Sequence, residues 1–189
     1  KVIQSLIITP TRELAIQIGE SFNAYGRHTG LTNEAIFGGV SQQAQTDKLL
    51  HGIDILIATP GRLLDLMHQK FVNLNHIKLF VLDEADRMLD MGFMKEIRKI
   101  HPILPKRHQT LLFSATYSDK VRKLSKLILT KPAFIETSKK NSTVDTINQV
   151  VYLVDTEKKA ALLAYIIGSR NFRQVLVFTR TKASADELV

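Results

Sequence analysis

The run Asp83-Glu84-Ala85-Asp86 directly follows an apolar stretch, Lys78-Leu79-Phe80-Val81-Leu82, so adjacent carboxylates stand where a strand would end. Such a pair could hold a divalent cation and position an attacking water, the chemistry of a nucleoside triphosphatase. Neighbouring side chains of a strand face opposite ways, but where the backbone leaves the sheet both can converge on one ligand. The same acids would equally serve as caps for the next helix, whose N-terminus favours negative charge. Two other apolar runs end in Pro10-Thr11-Arg12-Glu13 and Thr59-Pro60-Gly61-Arg62. Proline is suited to a first helical turn, where its missing N–H costs nothing. Backbone N–H groups at such turns could hold successive phosphates of a nucleic-acid strand, with Thr11, Arg12, Thr59, Gly61 and Arg62 beside them. Ordinary strand-to-helix turns use the same residue types. Gly38 and Gly39 permit close backbone approach or positive φ. Ser114-Ala115-Thr116, after Thr110-Leu111-Leu112-Phe113, offers small hydroxyls that exchange hydrogen-bond partners at little steric cost, or that cap a helix.

These positions need a scaffold that brings strand ends together. Further apolar runs occur at Ser5-Leu6-Ile7-Ile8-Thr9, Ile53 to Ala58, Gln149 to Val154 and Gln174 to Phe178. Their continuous apolarity predicts strands buried on both faces, as in a parallel sheet. Helical periods alternate with them: Arg12 to Tyr25, Gln42 to Leu50, Arg62 to His68, Met88 to Ile100, Lys120 to Leu129 and Lys158 to Ile167. The alternation predicts an α/β fold, a parallel sheet flanked by helices, with ligands at the carboxyl ends of the strands. Thr137-Ser138-Lys139-Lys140-Asn141-Ser142-Thr143 is polar and without period, and predicts a linker at 138–146 between a first domain, 1–137, and a second segment, 147–189. That second segment offers too few elements to bury a core alone.

Composition narrows the function classes. The 189 residues carry a formal charge of +8 and no Cys, which excludes disulfide scaffolds, thiol catalysis and Cys-based metal sites. The absence of Cys leans towards a reducing, cytoplasmic setting. The longest apolar run, Ala160 to Ile167, falls far short of the ~20 residues of a membrane helix. The positive balance suits a phosphate-backbone partner, although it is spread along the chain with no long basic run. Among the six His no HExxH pattern occurs, and the nearest pair, His101 and His108, lacks a carboxylate at ligand spacing, so surface or interface roles are expected. Met88, Met91 and Met94 recur at helical spacing and are expected in a core.

The motif at 83–86, taken with the others, resembles the DEAD-box RNA helicase family. Pro10-Thr11-Arg12-Glu13-Leu14-Ala15 is similar to motif Ia of that family, Gly38-Gly39 to its glycine doublet and Thr59-Pro60-Gly61-Arg62 to motif Ib. Ser114-Ala115-Thr116 is similar to motif III, and Val177-Phe178-Thr179-Arg180 to motif IV, all in the family's order. The stretch from Asn148 onward looks like the bacterial RhlE-type subgroup. The resemblance implies an incomplete first RecA-like domain and the start of a second. It implies ATP and Mg²⁺ as cofactors, with Asp83 binding Mg²⁺ largely through water alongside Glu84, and Glu84 activating the attacking water. Asp86 would couple to Ser114, Ala115 and Thr116. RNA would be held by its backbone, without base specificity, at Pro10, Thr11, Arg12, Glu13, Gly38, Gly39, Thr59, Pro60, Gly61, Arg62, Phe178, Thr179 and Arg180.

A phosphate-binding GxxxxGK[ST] loop does not occur, since no Gly is followed by Lys, and neither does an HRxGRxxR motif. The expectation is therefore a piece of a longer ATP-dependent RNA helicase, with negligible ATP turnover by itself and doubtful independent folding. A non-catalytic RNA-binding or adaptor module and a related DNA helicase are the alternatives. A two-metal nuclease would need a third clustered acid, which the sequence does not show. RNA substrate and protein partners are not encoded in these motifs.

Overall fold

The computed structural model describes residues 1–137 and 147–188, in two compact units divided at Thr137 and Ser138. The expected linker at 138–146 lies outside the described residues. In the first unit, β1 (Ser5–Ile8), β2 (Asn33–Ile36), β3 (Ile55–Ala58), β4 (Leu79–Leu82) and β5 (Gln109–Leu112) form one sheet in the order β2-β3-β1-β4-β5. Every pairing is parallel. The connecting helices are α1 (Arg12–Gly26), α2 (Gln43–Leu50), α3 (Pro60–His68), α4 (Ala85–Asp90), α5 (Met94–Ile100) and, after β5, α6 (Asp119–Ile128).

The apolar strands bury both faces because their side chains alternate between two packed layers. Leu6, Ile8, Leu56, Ala58, Phe80 and Leu82 enter the larger core with Leu63, Met88, Ile97 and Val121 from the helices. Ile7, Ile55 and Ile57 enter a smaller one with Ala15, Ile18 and Phe22 of α1. Two-sided burial is complete for β3 and nearly so for β1, but β4 alternates buried and half-buried residues and β5 has no buried residue. The expectation of uniformly buried strands therefore holds only on the β3–β1 side of the sheet.

Four differences from the sequence reading have local causes. Strand β2 was not anticipated because Asn33-Glu34-Ala35-Ile36 carries polar residues, as an edge strand tolerates. The single period from Met88 to Ile100 is two helices, broken where Gly92 takes φ 88°. Met88 is fully buried, but Met91, at the end of α4, is half exposed and so is not a core residue. In the second unit the runs at 149–154 and 174–178 form no strands; the described part of that unit consists of a 3₁₀ turn (Thr156–Lys158), α7 (Lys159–Ser169), α8 (Lys182–Asp186) and irregular segments, with no buried residue among those described. Too few elements are present there to cover an apolar sheet, and Leu153 and Phe178 stay exposed.

Asp54 ties the opposite end of the sheet. Its Oδ2 accepts from Lys1 Nζ at 2.7 Å, from the Thr32 N–H at 2.8 Å and from the Thr32 hydroxyl at 3.0 Å. The Lys1 ammonium foremost, then the Thr32 N–H, hold its carboxyl below the ordinary value of 3.8, against the opposing effect of burial. A carboxyl whose pKa falls on folding adds stability that is fully present above its unfolded pKa and lost as pH falls through the lower folded value. Below about pH 4, thermal melting midpoints are expected to fall less steeply for Asp54→Asn than for the native chain. Parallel acid-melting curves for the two would refute this.

Candidate functional site

The register of the sheet decides how the motifs meet. Ile36, Ala58, Ile8, Leu82 and Leu112 are mutual partners across adjacent strands, so all five strands end in one row. The next residues leave the sheet level with one another: Thr9 N–H donates to Ala58, Thr59 N–H to Ile36, Asp83 N–H to Ile8 and Phe113 N–H to Leu82, all at 2.8–3.0 Å. Strands lie about 5 Å apart. The motifs therefore stand along one edge in the spatial order Gly38-Gly39, Thr59-Pro60-Gly61-Arg62, Pro10-Thr11-Arg12-Glu13, Asp83-Glu84, Ser114-Ala115-Thr116, which is not their order in the chain.

On the acidic side, Glu84 sits at φ 48°, ψ 51°, a left-handed conformation that an L side chain adopts at a cost of about 1–2 kcal/mol. Two bonds hold it there: its own N–H donates to Asp83 Oδ1 at 2.9 Å, and the next N–H, of Ala85, donates to the Phe113 carbonyl at 3.0 Å. Although Glu84 occupies the cap position of α4, its side chain makes no capping bond. Capping therefore does not account for this carboxylate, which instead pairs with Arg87 Nη1 at 3.0 Å. Both partners are substantially exposed, so this pair is weak and easily exchanged.

Asp86 is bonded to the Ser-Ala-Thr turn. Its Oδ2 accepts from both the N–H and the hydroxyl of Thr116, each at 2.9 Å, and its Oδ1 from the Arg87 N–H at 3.1 Å. Burial pushes the Asp86 carboxyl up, but the Thr116 hydroxyl, the Arg87 and Thr116 N–H groups and the Ser114 hydroxyl together outweigh it and hold the group below the ordinary carboxylate value. Ser114 Oγ donates to the Thr116 carbonyl at 2.7 Å, shaping the turn, while Ala115 is exposed.

On the other half of the edge, Thr11 caps α1, its hydroxyl accepting the Leu14 N–H at 3.3 Å. Pro60 begins α3, and Thr59, at its cap position, makes no side-chain capping bond. Pro10 and Pro60 are buried, whereas Arg12, Glu13, Gly38, Gly39 and Gly61 are exposed. Gly39 has φ 80°, which favours glycine. At Gly38 and Gly61 a Cβ would meet nothing within 4 Å, so neither is demanded by packing and both leave room for an external group. Arg62 points inward: Nη2 donates to the Val40 carbonyl at 3.3 Å and Nη1 is buried without a partner, so the residue braces the glycine loop. In the second unit, Phe178, Thr179 and Arg180 are exposed, and the Thr179 hydroxyl donates to the Thr181 carbonyl at 3.0 Å.

Sequence reasoning passed over Phe37, Gln45 and Arg87. Phe37 adjoins the glycine doublet and Arg87 adjoins the acidic motif, so adjacency was a signal for both; Gln45 carried none. No cluster of three or more potential metal-ligating side chains occurs among the described residues. A cavity of about 560 Å³ lies elsewhere, between the start of β5 and the end of α6, at the far end of the sheet from the motif row.

Comparison with known proteins matches residues 1–124 to the family described as DEAD/DEAH box helicase. The chain is 39% identical over 186 residues to the DEAD-box ATP-dependent RNA helicase CshA of Bacillus cereus, covering 98% of this chain and 35% of that protein. It is 39% identical to the DEAD-box ATP-dependent RNA helicase RhpA of Helicobacter pylori, covering 98% and 38%. It is 42% identical over 182 residues to the ATP-dependent RNA helicase RhlB of Pseudomonas aeruginosa, covering 95% and 46%. The chain thus spans less than half the length of these relatives. The crystal structure of a hypothetical ATP-dependent RNA helicase from Sulfolobus tokodaii superposes with a TM-score of 0.65 at 37% identity, covering 68% of this chain and 39% of that one.

Proposed function

The chain belongs to the DEAD/DEAH box helicase family, and on that premise we propose that it forms the water-activating end of the ATP site, and one RNA-backbone surface, of an ATP-dependent RNA helicase. The observation that carries this reading is the single row of strand ends, which sets the acidic motif beside turns suited to phosphates. In this reading residues 1–137 form part of the first RecA-like domain and 147–189 begin a second, joined by 138–146.

Glu84 orients and deprotonates the attacking water, and Asp83 and Glu84 are the residues that would hold Mg²⁺. Among the described residues no third ligand joins these two carboxylates, which suits Mg²⁺, an ion that keeps several waters and is bound through one or two carboxylates plus substrate phosphates. The ion supplies charge neutralisation at the phosphates. Asp86, gripped by Thr116, links the state of the acidic motif to the Ser-Ala-Thr turn. Thr11, Arg12, Thr59 and Gly61 face the RNA backbone on one domain, and Phe178, Thr179 and Arg180 on the other. Such contacts carry no base code, which suits an enzyme acting on many RNAs. A cytoplasmic location fits that role, and no described helix is long and apolar enough to cross a membrane.

In the whole protein, ATP turnover is expected to rise on adding single-stranded RNA and not on adding DNA of the same sequence. Thr116→Val removes one of the two Thr116 bonds to Asp86 and is expected to lower duplex unwinding several-fold more than ATP turnover. Equal losses in both would remove the coupling role. RNA binding that weakens with salt but ignores ATP would favour the adaptor alternative, and equal stimulation by DNA the DNA-helicase alternative.

A further inference from the structure

Arg12 is a cation in an unfavourable place. It opens α1, where the helix dipole disfavours positive charge, and among the described residues no carboxylate pairs with it. What holds it is the ring of Phe37, whose centroid lies 5.3 Å from the guanidinium carbon. Phe37 is in turn held by Gln45, a buried residue of α2. Gln45 Oε1 accepts the Phe37 N–H at 3.0 Å, and Nε2 donates to the Phe37 carbonyl at 3.2 Å and the Ser41 carbonyl at 3.4 Å. Strand β2 is an edge of the sheet, so the carboxamide takes the place of a neighbouring strand for the residue just beyond it. It also spans the glycine loop, bonding residue 37 before Gly38-Gly39 and residue 41 after them.

We propose that Gln45 and Phe37 are positioning residues for RNA binding: the Gln45 amide locks the backbone at 37, and the Phe37 ring presets the Arg12 guanidinium, unpaired and facing outward, to receive a phosphate of the strand. The inference rests on the reading of Pro10 to Glu13 as an RNA-backbone surface, and it adds why an arginine at a helix N-terminus stays ordered without an acid partner. Preorganisation of this kind raises affinity by removing the cost of ordering a long side chain on binding. It acts on RNA affinity and leaves the chemical step alone.

The test is a double-mutant cycle in the whole protein, reading the affinity for a fluorescein-labelled uridine homopolymer by anisotropy and ATP turnover at saturating RNA. Arg12→Ala is expected to weaken RNA binding. Phe37→Leu is expected to weaken it about 2- to 5-fold, the scale of an exposed cation–π contact. Phe37→Tyr, which keeps the aromatic face, should restore native affinity, and Gln45→Leu should weaken binding in the same direction as Phe37→Leu. In the Arg12→Ala background Phe37→Leu should have no further effect, and turnover at saturating RNA should be unchanged by it. If the Phe37→Leu loss persists in full without Arg12, or appears in turnover while RNA affinity stays native, the proposal is overturned and the RNA surface stands. If Arg12→Ala leaves RNA affinity unchanged, the reading of that surface fails and the proposal with it. Should Gln45→Leu not fold, the Phe37 pair of variants decides alone.

Discussion

Replacing Glu84 with Gln is expected to lower RNA-stimulated ATP turnover of the whole protein by about 10²–10⁴-fold, the usual worth of a positioned general base, while ATP and RNA binding persist. The amide keeps the shape of the side chain but cannot accept a proton. The backbone strengthens the case, because Glu84 is held in a left-handed conformation and its side chain makes no capping bond, only an exposed pair with Arg87. Strain at a residue without a capping role points to a function that requires the placement. A second variant separates chemistry from structure. Glu84→Gly relieves the left-handed strain and is expected to stabilise the fold by about 1 kcal/mol while abolishing turnover. Native turnover in Glu84→Gln would remove this residue from the chemistry. Destabilisation by Glu84→Gly would show that the side chain contributes to the fold after all.

Truncating Phe80 is the substitution with the largest expected effect on stability. Its side chain is fully buried in the middle of β4, between Leu6 of β1 and Thr110 of β5. The rings of His101 and His108 lie 6.3 and 6.2 Å from it, closing the core at the end of α5 and the start of β5. Phe80→Ala leaves a cavity that rigid strands on both sides cannot collapse into, at a cost of about 3–5 kcal/mol. That is a large share of the ~5–15 kcal/mol that holds a typical domain together. With a denaturant slope of about 1–3 kcal/mol per molar, the urea midpoint should fall by one to a few molar. Activity should fall with it, since β4 carries Asp83 and Glu84 on its end. A loss below about 1 kcal/mol would mean that the sheet relaxes around the cavity, contrary to the packing described.

These two residues show what was legible in the chain. The strands β1, β3, β4 and β5 were visible because short runs of Ile, Leu and Val have few other ways to leave water. Strand β2 was not, since an edge strand needs little apolar surface, and its place is fixed by pairing with β3. The runs at 149–154 and 174–178 carry the same apolar signal as β1 but form no strands, because a strand needs partners and that unit supplies none. Likewise Asp83, Glu84 and Asp86 could be named from the family resemblance that their motif carries, whereas Gln45 could not, because its role depends on folding α2 back against the residue after β2.

The amino-acid sequence by itself determined the chemistry available: adjacent carboxylates at a strand end, phosphate-compatible turns after two others, no phosphate loop and no cysteine. Those properties are local, set by residue types over a few positions. Tertiary structure alone decided that residues far apart in the chain share one edge, that Asp86 takes two bonds from Thr116 besides the one from its own helix, and that Arg62 turns inward while Arg12 rests on Phe37. The physical reason is that strand order and register follow from how all the helices and strands bury their apolar faces together, and no short stretch of residues carries that information.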